Sequence, residues 1–235
     1  MILKKLKKFF SLCVLLTVVL WNAEAGDTST YVDLGFSGDG AVYMFGQYGI
    51  RGGTLRPWAE LYAVNVARNN FIAGGRLSYT HNAPAESGQD GSGAFYRLLT
   101  TNTELAKQHG VNFLTRGRLL YVGLLDGIER ETIDFRDFER EVDYRATIVT
   151  RTYGVAADLT SSFHIELEQT WPGRGRVTLR AGSPDVRRSR ITTYQIRRVI
   201  MAPDDGALIF VVETRSPVSS GHDIRYMVEA LSLDR

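Results

Sequence analysis

Read as one strand, His164-Ile165-Glu166-Leu167-Glu168 puts His164, Glu166 and Glu168 on one face and Phe163, Ile165 and Leu167 on the other, because strand side chains alternate with period two. Imidazole and carboxylate are metal ligands and proton carriers. Three such residues in a row span about 13 Å, too far to share one ion. The pattern therefore reduces to a candidate metal pair, His164 and Glu166, that needs a donor from elsewhere. The same alternation is what a half-buried antiparallel strand with one wet face shows.

Charge is the second source of chemistry. Residues 126–143 carry eight acids and three Arg, and residues 174–198 carry eight Arg and one acid, Asp185. Arg pairs bidentately with carboxylate and phosphate, so the second segment is a candidate anion site, with Arg187, Arg188 and Arg190 at its densest point. The alternative is that the two segments lie on adjacent strands and neutralise each other, or that their charges alternate outward as solvated faces. A third candidate is the Gly-rich stretch Gly49 to Trp58, flanked by aromatic Tyr48 and ending on Trp58. It is too long for a tight hairpin, which makes it a surface loop suited to recognition. The candidate ligand-binding residues are Tyr48, Trp58, Arg187, Arg188 and Arg190, with the caution that a Trp closing a loop often packs inward.

Signatures of hydrolysis are missing. Gly91-Ser92-Gly93 lacks the spacing of a nucleophile elbow. His81, His109, His164 and His222 form no His-Glu-x-x-His pair, and Gly88 to Gly93 is too poor in acids for a calcium loop. No cofactor is expected.

The elements that must position these residues begin with an export signal. Lys4, Lys5, Lys7 and Lys8 precede an apolar run from Phe9 to Trp21, and Ala23-Glu24-Ala25 is a small-x-small cleavage site. A run of 13 residues is too short to span a bilayer, so residues 1–25 read as a secretory signal peptide. Lipidation is not expected, because Cys13 sits early in the apolar run without small residues before it. Cleavage removes the one Cys, so thiol chemistry and disulfides are excluded. It also removes four basic residues and one acid, leaving 24 against 25. Only Lys107 remains as lysine, and nucleic acid is not an expected partner for an exported, nearly neutral chain.

Residues 26–235 read as one β-rich domain. Strand-like runs occur at 30–36, 41–48, 59–66, 119–125, 128–135, 144–153, 162–170, 176–180, 191–201, 207–214 and 224–233. The 119–125 run is apolar on both faces and predicts a central strand, joined to 128–135 by an Asp126-Gly127 hairpin turn. His81 to Gly93 reads as a linker. Phe95, Leu98, Leu99, Leu105 and Ala106 have helical spacing before Gly110, which predicts one helix over 94–109. Thr101-Asn102-Thr103-Glu104 fits a capping box within it and leaves its start open. The expected class is mainly β, with antiparallel sheets arranged as a sandwich or a propeller.

Phe36-Ser37-Gly38-Asp39-Gly40, followed by an apolar strand and Glu60-Leu61-Tyr62-Ala63-Val64-Asn65-Val66, resembles the blade motif of TolB-like β-propeller repeats. A partial second copy closes on Pro203-Asp204-Asp205-Gly206, whereas a closed propeller needs about four blades. Across the whole chain, the order of these motifs with Gln47-Tyr48-Gly49-Ile50, Ser189-Arg190-Ile191-Thr192-Thr193-Tyr194-Gln195-Ile196 and Gly221-His222-Asp223-Ile224-Arg225-Tyr226-Met227-Val228 is similar to a family of predicted secreted bacterial proteins, domain of unknown function 2259. That resemblance implies export and a single domain, and no catalytic residue. Together these features describe an exported periplasmic or secreted protein that binds another envelope protein or an anionic envelope component. An envelope hydrolase with a site assembled across strands and a purely structural protein are the alternatives.

Overall fold

Ala207-Leu208-Ile209-Phe210-Val211-Val212 is apolar on both faces, and three antiparallel sheets are layered around the strand it forms. The structure is a computed structural model. It describes residues 26–233 except 125, 156, 157, 174 and 220. The expected signal peptide with Cys13, and also Leu125 and Arg174, lie outside the described residues.

In chain order, β1 (Thr30–Ser37), β2 (Val42–Ile50), β3 (Pro57–Asn65) and β4 (Asn70–Thr80) form a meander. Helices α1 (Ser92–Thr101) and α2 (Thr103–Gln108) follow, and the short β5 (Val111–Asn112) returns to pair with β1. Next comes β6 (Arg118–Val122). A second meander follows, of β7 (Thr132–Asp137), β8 (Val142–Tyr153), β9 (Thr160–Trp171) and β10 (Gly175–Ala181), with β11 (Arg188–Ser189) paired to β9. The chain ends on β12 (Thr193–Met201), β13 (Ala207–Val218) and β14 (Gly221–Ser232), which join β6 in the order β14-β13-β12-β6.

This last sheet is the middle layer. Ile200, Ile209, Val211 and Val228 face Phe36, Tyr43, Phe45 and Val64 of the first sheet. Ile196, Val199, Leu208, Phe210 and Val212 face Phe135, Tyr144, Phe163 and Ile165 of the second. The outer face of the first sheet, with Met44, Leu61 and Ala63, is covered by Phe95 and Leu98 of α1. Period-two alternation lets one strand serve two cores, and burying each large side chain contributes about 1.5–3 kcal/mol.

Several expectations change. The 119–125 run does not form a central strand: β6 lies at the edge of the middle sheet, with Leu119 and Val122 half exposed. It does not pair with β7 either, because the chain crosses between sheets at Asp126-Gly127. The predicted single helix is two, broken at Asn102, whose Nδ2 donates to the Leu98 carbonyl at 2.8 Å. Neither helix has a side-chain cap, so the capping box does not form. The unforeseen β4 carries Gly74 and Gly75 beside a register shift, which hides its alternation. The described residues form three sheets in layers, short of the four blades of a closed propeller.

The two related turns lie in neighbouring sheets and touch. Gly40, at φ +73°, leaves room for the Asp204 carboxylate, 2.9 Å from where a Cβ would stand. In the second turn it is Asp205, and not the glycine, that takes the positive φ, at 56°.

Candidate functional site

The site is built upward from Trp58, the second residue of β3, which is fully buried. An indole N–H inside a protein needs an acceptor, and Trp58 Nε1 donates to Asp27 Oδ1 at 2.9 Å. Asp27 is buried too, and its other oxygen accepts from Arg225 Nη2 at 2.5 Å. The Arg225 guanidinium also lies 4.1 Å from the Trp58 ring centre and that of Arg51 lies 4.8 Å away, a cation–π arrangement. Asp27 N donates to Asp223 Oδ1 at 2.8 Å, and Ile224 N donates to the Asp27 carbonyl at 2.9 Å. The first described residues are thereby strapped onto the outer edge of β14.

Over this clamp opens a cleft of about 450 Å³. Strands β2 and β3 pair as far as Ile50 and Pro57, so the expected loop from Gly49 to Trp58 shrinks to its tip, residues 51–56. Arg51, Gly52, Gly53 and Thr54 of that tip line one side. Arg190 enters from the segment after β11, at φ +60°, its N–H donating to the Leu159 carbonyl at 2.8 Å. Ser219 and Asp223 complete the wall. Arg51 is 43% exposed and stands 3.5 Å from Asp27. Arg190 is exposed and makes no ion pair among the described residues. Two guanidiniums beside a glycine-rich turn can receive a carboxylate or phosphate bidentately.

The structure therefore joins the Gly-rich loop to the Arg-rich segment, but through fewer residues than the sequence suggests. Trp58 lies beneath the cleft with no surface of its own to offer. Tyr48 is half buried on the helix-covered face, its ring 5.7 Å from that of Phe95. Arg187 stacks on Tyr153 at 4.1 Å. Arg188 stacks on Phe163 at 4.8 Å and pairs with the buried Glu229 at 3.2 Å. Among the three arginines, Arg190 alone lines this cleft.

His164 and Glu166 share a face of β9, as expected, with Nε2 3.4 Å from Oε1. That face is not uniformly wet, since His164 is buried and Glu166 is exposed. No third His, Cys, Asp or Glu joins them in a metal-binding group among the described residues.

Among the described residues no ion pair joins the acidic segment to the basic one. Arg136 pairs with Asp143 at 2.9 Å and Arg145 with Asp134 at 2.7 Å, both across the β7–β8 hairpin. Arg118 meets Asp137, Glu139 and Asp205 at 2.8 Å each. Burial pushes the Asp137 carboxyl up, but the Arg118 guanidinium and the amides of Arg140 and Glu139 outweigh it and hold the group below its usual range.

Sequence reasoning missed Asp27, Arg51 and Arg225. Asp27 and Arg225 stand 198 positions apart, and no local pattern relates them.

The family model described as "Predicted secreted protein (DUF2259)" matches residues 44–232 of the chain. No curated protein and no solved structure matches it.

Proposed function

The chain belongs to the DUF2259 family of predicted secreted proteins, and on that premise we propose that it is exported to the cell envelope and acts there by binding. The ligand is an anionic group, carried by an envelope polymer or by the acidic surface of another envelope protein. The observation that carries this reading is the convergence of Arg51 and Arg190 on one cleft, over a clamp that fixes the loop tip from below. The clamp reduces what the loop must lose in freedom when a ligand arrives, which favours affinity. Export agrees with residues 1–25, and among the described residues no helix is long and apolar enough to cross a membrane.

A photo-crosslinking residue at Thr54, introduced in the native envelope, tests the proposal. The expected result is capture of one anionic component, falling about tenfold or more in the Arg51→Ala/Arg190→Ala variant, as the loss of charge-assisted hydrogen bonds implies. Equal capture by the variant, or no enrichment over an unrelated exported protein, sinks the reading.

A further inference from the structure

A second, larger groove lies further along the outer edge of β14. It measures about 700 Å³ and runs between the β3–β4 turn, the β14 edge and the segment that follows β10. Its size falls within the range of small-molecule sites. Phe71, Val186, Met227 and Leu231 give it apolar walls, and Phe71 is 44% and Val186 50% exposed. Large apolar side chains exposed along one groove mark a surface suited to an apolar ligand.

Three arginines and one acid supply its charge: Arg68, Arg180, Arg188 and Glu229. Glu229 is buried and already engaged, with Asn69 Nδ2 donating to Oε2 at 2.5 Å and Arg188 to Oε1 at 3.2 Å. Asn69 also accepts from Ala230 N–H at 2.7 Å, so its side chain ties the first sheet to the middle one. Arg188 is engaged elsewhere as well, because it stacks on Phe163 and donates to the Val186 carbonyl at 3.0 Å. Arg68 and Arg180 make no ion pair among the described residues. The groove thus combines an engaged acid–base pair, apolar walls and two guanidiniums outside any ion pair among the described residues.

We propose that this groove binds a single-chain anionic amphiphile, with its carboxylate or phosphate head held by Arg68 and Arg180 and its hydrocarbon chain lying along Phe71, Val186, Met227 and Leu231. Charge complementarity selects the head, since three guanidiniums against one carboxylate line the groove, and the exposed side chains select the tail. Neither half suffices alone: a free phosphate leaves the apolar walls wet, and a neutral amphiphile leaves both guanidiniums unpaired.

Dodecyl phosphate below its micellar concentration is the probe, titrated into the purified protein by calorimetry. Inorganic phosphate and dodecyl maltoside provide the head-only and neutral-chain arms. Saturable binding of one dodecyl phosphate per chain is expected, at least tenfold tighter than either control. Arg68→Ala/Arg180→Ala should weaken it tenfold or more, and Phe71→Ser, which also removes the ring stacked on Tyr62, should weaken it in a variant that still melts in one cooperative transition. Arg51→Ala/Arg190→Ala should leave it unaltered, which separates this groove from the anion cleft. Binding that is equally tight for dodecyl maltoside, or insensitive to Arg68 and Arg180 in a variant that melts like the parent, overturns the assignment, as does the absence of saturable binding.

Discussion

Single residues carry more than their types announce. Arg118 illustrates this, since one guanidinium reaches acids from the β7–β8 turn and the β12–β13 turn and pins two sheets together. Its partner Asp137 is fully buried with its carboxyl held below the ordinary range. A carboxylate depressed in the folded state contributes fully above its unfolded pKa of about 4 and loses that contribution as pH falls through the lower folded value. Asp137→Asn should therefore cost about 2 kcal/mol at pH 7, the scale of a charge-assisted hydrogen bond. The gap between variant and parent in urea midpoints should close as pH drops below about 4; a gap independent of pH contradicts the assignment. At this scale the sequence was partly legible. Arg190 and the loop holding Arg51 stand out by type and spacing, whereas Trp58, a candidate by type, is buried by the fold. Asp27 and Arg225 were not legible, because a buried carboxylate is recognised by partners that only folding brings near.

Among the elements, turns do the joining. Gly40 holds φ +73° and its missing Cβ leaves space for Asp204 of the other turn. Gly40→Ala should cost about 1–2 kcal/mol for the left-handed backbone alone, with crowding against Asp204 added. In a double-mutant cycle with Asp204→Ala, a coupling of at least about 0.5 kcal/mol is expected for groups in contact. Zero coupling, read from denaturant midpoints, means that the turns do not act on each other. The strands were largely visible from alternation, and the hairpins at Asp39-Gly40 and Asp205-Gly206 from their turn residues. The errors fell where a local rule met tertiary context: β6 is apolar on both faces yet sits at an edge, and Gly74 and Gly75 broke the period of β4. Helix periodicity passed through Asn102 unbroken because it registers apolar spacing, whereas the break comes from a side chain bonding back to Leu98.

For the molecule as a whole, the middle sheet contributes side chains to both cores and is expected to couple the layers in one unfolding transition. Ile209 faces the first sheet and Phe210, its neighbour in sequence, faces the second, both with no exposed surface. Ile209→Ala and Phe210→Ala should cost about 2–5 and 3–5 kcal/mol. Each should shift one common unfolding transition, followed by circular dichroism and by the fluorescence of Trp58 and Trp171, which lie in different sheets. Separate transitions for the two probes would show that the layers fold independently. The sequence by itself determined the mainly β class, the likeness to a family of predicted secreted proteins and the two regions proposed for a binding surface, because composition, strand period and turn residues are local properties of the chain. Only the tertiary structure decided that the sheets stack three deep, that the Gly-rich loop meets Arg190 over an Asp27–Trp58–Arg225 clamp, and that Arg188 is consumed by Glu229 while Arg68 and Arg180 are left facing a groove. Those outcomes depend on contacts between residues tens to nearly two hundred positions apart, where burial and pairing are settled by which faces of the sheets come together.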